Sequence, residues 1–206
     1  MNLNLNKSVT LIELIIAVSL FGVLVVAFTS FDTYSRHHVI VSDRRARLQN
    51  ELAYALEQMS KYVLQGTGNF NNQPLQQTTN GFRVRVDYWP YSSPVQTPTP
   101  QNLNDDLWFN FSLNANTLSS ICTQVTPGVS PACPFAETLS TRIIAGVVYG
   151  PIPSNPTSGF YINFTDSNTM VEVGLVGRWN LSSAVSVDNP QVVMKSKVYS
   201  HSSGAR

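Results

Sequence analysis

Glu13 is the only charged residue between Val9 and Phe31, inside the stretch LIELIIAVSLFGVLVVAF that begins at Leu11. A carboxylate in so apolar a setting has two chemistries open to it. It can snorkel to water at a membrane interface, or it can meet a positive charge when helices pack, where a low dielectric makes the pair far stronger than in water. Cys122 and Cys133 are the only two cysteines, in ICTQVTPGVSPACPF, whose three prolines and one glycine read as a loop in need of a tie. They form a disulfide if that loop is exported and remain two free thiols otherwise; metal binding would need further ligands, and no histidine lies nearby. Closing the loop would stabilise by about 3 kcal/mol in the entropic model. His37, His38 and His201 are the only histidines. Adjacent histidines on a helix diverge by about 100° and make a poor chelate, so they are expected at the surface. No HExxH, GxSxG or phosphate-binding glycine loop occurs, so neither enzymatic activity nor a cofactor or metal is expected.

The elements that must position these groups follow from periodicity. Val9 to Phe31 is long enough to cross a bilayer core of about 30 Å as a helix. Leu48, Leu52, Leu56, Met59 and Val63 then recur at intervals of three and four, which predicts that the same helix continues as an amphipathic element until Gly66 stops it as a left-handed cap. From Val9 to Gln65 it would be roughly 85 Å long. A coiled coil is the alternative, but the stripe is too short to argue for one, and the chain's own remaining residues are its natural cover. Those residues read as strands. Phe82, Val84, Val86 and Tyr88 alternate with polar residues, as do Leu107, Phe109, Phe111 and Leu113; further candidates are 142–149, 159–164, 170–176 and 192–199. The expected fold class is α+β, one long N-terminal helix packed on an antiparallel β-sheet. Residues 117–134 are expected to be loop.

The run Ser8-Val9-Thr10-Leu11-Ile12-Glu13 resembles the processing site of type IV prepilins and type II secretion pseudopilins. Ser8 and Val9 stand where the family most often has glycine and phenylalanine. The resemblance implies a pilin fold, cleavage by a prepilin peptidase at the Ser8–Val9 bond and N-methylation of Val9. It also implies an assembly role for Glu13, with Thr10 beside it, in which the carboxylate neutralises the terminal amine of a neighbouring subunit. Gly22 falls where many pilins carry glycine and where their helix loosens on assembly; an ordinary membrane-helix glycine is the plainer reading. The implied organisation is a leader at 1–8, a transmembrane and filament-core segment at 9–31, its amphipathic continuation at 32–65, and an extracytoplasmic β-rich domain at 66–206. The implied partners are other pilin or pseudopilin subunits, the prepilin peptidase, the inner-membrane assembly machinery and membrane lipid. The size of the domain is most like minor pilins of the W type and pseudopilins of the J type. The competing expectation is a membrane-anchored periplasmic binding or enzymatic domain with an uncleaved signal anchor.

Charge narrows the partners further. Charged residues are 12% of the 206, with a net charge of +1, so there is no electrostatic case for nucleic acid. Arg44, Arg45 and Arg47 are read as the solvated face of a helix. The positive-inside count, with Lys7 before the span and Arg36, Arg44, Arg45 and Arg47 after it, would by itself put the large domain in the cytoplasm. The prepilin-like junction implies the reverse: a bacterial inner-membrane protein of one span with its C-terminal domain outside, later drawn into a pilus or pseudopilus.

Overall fold

Leu48, Leu52, Leu56, Met59 and Val63 are all buried, together with Ala55, on one face of helix α1 (Leu11–Leu64). The computed structural model describes residues 10–68, 71–87, 106–124, 136–165 and 168–200. Two compact units divide at Asp43/Arg44. In the first, the described residues are helix from Leu11 onward, unbroken at Gly22.

In the second unit, α1 ends at Leu64, one residue short of the expected last helical residue, Gln65. Gly66 is not in the left-handed region; its N–H bonds to the Val63 carbonyl at 3.0 Å, and it bridges Val86. Glycine is needed there for space, because a Cβ would meet Ser200 Cβ at 3.1 Å and Val84 Cγ1 at 3.4 Å.

Among the described residues nine strands form two sheets rather than the single sheet expected. The first is an antiparallel meander of β1 (Leu75–Thr78), β2 (Gly81–Val86), β3 (Leu107–Asn114), β4 (Thr117–Gln124) and β5 (Ala136–Ser140). The second has the order β6 (Val147–Tyr149), β7 (Phe160–Thr165), β8 (Met170–Arg178) and β9 (Gln191–Tyr199). Its β6 and β7 pair in parallel, across a connection shorter than the dozen or so residues usual for parallel neighbours. Of the expected strand at 142–149, only Val147–Tyr149 forms, with Ile143 making an isolated bridge to Gly177. The expected loop at 117–134 is corrected at its start: Thr117–Gln124 is a full partner of β3, joined by a two-residue turn at Ala115 and Asn116. Ala115 takes φ 52°, and Asn116 Nδ2 donates to the Ile143 carbonyl at 2.8 Å.

Within this unit α1 packs on both sheets. Tyr62 stacks on Phe109 of β3 at 4.0 Å, while Leu48 and Leu52 fill the space that Gly177 of β8 leaves free. Phe82 joins the two sheets, 5.2 Å from Phe111 on its own sheet and 6.2 Å from Phe160 on the other.

Candidate functional site

The N-terminus of α1 is built by two side chains. The Glu13 Oε2 atom accepts the Thr10 backbone N–H at 2.9 Å and the Thr10 hydroxyl at 2.8 Å, and the Glu13 N–H reaches back to Thr10 Oγ1 at 3.3 Å. This reciprocal capping box satisfies donors that a helix start leaves unpaired, which matters most where no water can serve them. Among the described residues Glu13 Oε1 makes no hydrogen bond. Along the following turns the hydroxyls of Ser19, Thr29, Ser30 and Thr33 bond back to carbonyls of the preceding turn, so the polar groups of the segment are internally satisfied. The apolar side chains are not: Leu11, Ile12, Phe21, Val23, Phe28 and Phe31 are each at least 66% exposed. The helix is long and apolar enough to cross a membrane, and its apolar window has no part buried against this chain. A Cβ at Gly22 would meet nothing within 4 Å.

Beyond the span, Asp32 and Arg36 form a pair at 2.9 Å between exposed side chains, a geometry that contributes little. His38 lies against Tyr34 with ring centroids 5.7 Å apart. Arg45 and Arg47 are exposed as expected, but Arg44 is half-buried and docks: Nη1 donates to the Asp188 carbonyl at 2.8 Å, near the Trp179 ring. Arg142 covers the same ring at 3.7 Å, and Glu51 accepts the Ser140 hydroxyl at 2.6 Å. These contacts lock α1 to the loops after β5 and β8.

Of the expected site residues, the structure brings together Thr10 and Glu13, on one helix turn. Ser8 and Val9 lie outside the described residues. Cys122 is buried on β4 and is not a free thiol, while Cys133 lies outside the described residues. Among the described residues no three histidine, cysteine, aspartate or glutamate side chains gather as a metal site would require.

Outside the apolar span, the shifted titrations among the described residues lie in the second unit. The hydrogen bond to Glu137 raises the Tyr54 pKa, burial raises those of Tyr62 and Tyr149, and burial lowers that of Arg85 against the pull of Asp106. The capping box was not anticipated, although its signal is present: threonine followed three residues later by glutamate, immediately before an apolar run. No protein-family model, curated protein or solved structure matches the chain. The fold and the helix start therefore define a class: a membrane-capable N-terminal helix followed by an α+β unit with two sheets among the described residues.

Proposed function

We propose that this chain is a structural subunit, a minor pilin or pseudopilin, of a type IV pilus-like or type II secretion filament. It is stored in the bacterial inner membrane and assembled through its N-terminal helix. The observation that carries the reading is Glu13 at the head of an uncovered apolar helix, with Oε2 engaged by Thr10 and Oε1 available. Cleavage at Ser8–Val9 leaves Thr10 in the mature chain, so the cap survives processing and holds the carboxylate where a neighbour's terminal amine can reach it. Prepilin peptidase, fellow subunits, assembly machinery and lipid are the partners this requires, and no catalytic residue or cofactor enters.

The same cap favours a second reading, an anchored periplasmic domain, because it gives Glu13 a role that needs no partner. The mature N-terminus separates the two. Mass spectrometry of the membrane-derived protein should find a chain beginning at Val9 with a methylated amine; one that retains Met1 or begins after Phe31 refutes the filament reading. The same spectra, taken with alkylation before and after reduction, test a Cys122–Cys133 bond: a gain of two alkyl groups only after reduction is expected, and two thiols alkylated without reduction refute it.

A further inference from the structure

Where the edge of the first sheet meets the second, an open cleft of about 290 Å³ is lined by Gln77 of β1, Tyr149 and Gly150 at the end of β6, Ile162, Asn163 and Phe164 of β7, and Asn168 beyond it. Its volume lies near the low end of ordinary small-molecule sites, roughly 300–1,000 Å³. Among the described residues none of the lining side chains carries a charge. Three are amides, one from β1 and two from the β7–β8 hairpin. Among the described residues the side chains of Gln77 and Asn163 make no hydrogen bond, and Asn168 spends one amide hydrogen on Gln73 Oε1 at 2.7 Å, leaving its own carbonyl as an acceptor.

The two aromatic rings of the cleft are fixed before any ligand arrives. Tyr149 is held by its hydroxyl, which accepts the Gly81 N–H at 3.0 Å and lies against the carbonyls of Thr78 and Gly81, while 36% of the residue remains exposed. Phe164 packs edge-to-face with Phe82 at 6.3 Å. A site presenting rigid rings, neutral amides that both donate and accept, and no formal charge matches one ligand chemistry well. A sugar ring offers apolar C–H faces to an aromatic and vicinal hydroxyls to an amide, and it has no charge to neutralise. Anions and metal ions find no counter-charge among the described residues of the lining.

We propose that this cleft binds a single neutral sugar residue, as a free saccharide or as the exposed end of a glycan. The proposal stands on the cleft alone and does not depend on whether the chain enters a filament. The test uses the full chain in a zwitterionic, non-glycosidic detergent, applied to immobilised conjugates of glucose, galactose, mannose, N-acetylglucosamine and N-acetylgalactosamine. At least one conjugate should retain the protein. Gln77→Ala and Asn163→Ala, which remove amides with no structural partner, should each weaken that binding about fivefold, the loss of one neutral hydrogen bond. Lys195→Ala, on an exposed strand face, should leave it unchanged. Competition by the free sugar at matching concentrations identifies a free saccharide as sufficient; retention of conjugates alone identifies the glycan end. Failure of every conjugate to retain the protein above the detergent blank overturns the proposal, as does binding that both amide substitutions leave intact or that Lys195→Ala weakens equally.

Discussion

Gly81→Ala tests the register of the first sheet and the Tyr149 clamp together. Gly81 pairs with Ser112 at the start of β2, and a Cβ added there would lie 1.9 Å from the Phe111 carbonyl oxygen and 3.1 Å from Ser112 Cα. Those atoms are backbone, so no side chain can rotate away; the β2–β3 pair must separate. Overpacking of this kind costs about 1–3 kcal/mol. The movement also carries Gly81 away from the Tyr149 hydroxyl, which it contacts through both its N–H and its carbonyl, and two hydrogen bonds of about 1 kcal/mol each are then at risk. The expected destabilisation is about 3–5 kcal/mol for the β-rich unit. Equilibrium denaturation of the full chain in detergent, followed by near-ultraviolet circular dichroism, measures it. Gly22→Ala is the control, since its Cβ meets nothing within 4 Å and alanine is the better helix former. A Gly81→Ala protein within about 0.5 kcal/mol of the parent, the range of inert surface changes, would refute the pairing of β2 with β3 in this register.

Ala115→Gly should stabilise the β3–β4 hairpin by about 1 kcal/mol, because alanine at φ 52° carries a left-handed penalty that glycine does not; the same denaturation curves check it. Tyr54, Tyr62 and Tyr149 all have pKa values raised above 10.0, so the stabilisation they carry is complete below that value and is lost as pH climbs through the raised folded values. Denaturation midpoints should therefore fall on the alkaline side, and a midpoint that rises there would contradict these contacts. Glu13→Gln keeps a side chain able to cap the helix but removes the charge, so insertion and cleavage should persist while co-purification with partner pilins falls. Unchanged recovery at equal membrane level would leave Glu13 as a cap alone.

The helix was legible because its core stripe is apolar at every inward position from Leu48 to Val63. Strands β2, β3, β7 and β8 were legible for the same reason at period two, and β9 by Val192, Met194 and Val198 although Ser196 interrupts them on the inward face beside Ser60. β4 was hidden by Ser120, a buried serine between inward Leu118 and Cys122, which breaks the apolar alternation in TLSSICTQ. In β1, LQQT offers only Leu75 to the core, and β5 is similarly polar. Alternation itself misleads at one end of the first sheet. Arg85 and Trp108, outward by pattern, are 6% and 5% exposed, and the guanidinium lies 4.7 Å from the indole ring. The division into two sheets and the parallel β6–β7 pair depend on which distant segments meet, through contacts such as Phe82 with Phe160 and Ile143 with Gly177, and no local pattern encodes them.

The two explanations of Glu13 rest on different oxygens of one carboxylate, and this bears on how a charge is tolerated at the head of an apolar helix. A helix start leaves several N–H groups without partners, and in a bilayer or a dry bundle no water satisfies them. Glu13 Oε2 serves the Thr10 N–H and hydroxyl, so the acid removes a local deficit at the place where it is itself a burden. A glutamine could do the same without the charge, since capping boxes accept either residue. Local helix chemistry therefore accounts for a polar side chain at position 13, and the helix dipole favours its ionised form by less than an acid costs at the centre of a span. The excess is the negative charge, and in a low-dielectric setting its natural complement is a positive group from outside the chain. On the filament reading proposed above, a terminal amine freed by cleavage of a neighbouring subunit would provide that charge, and the Thr10 cap leaves Oε1 to receive it.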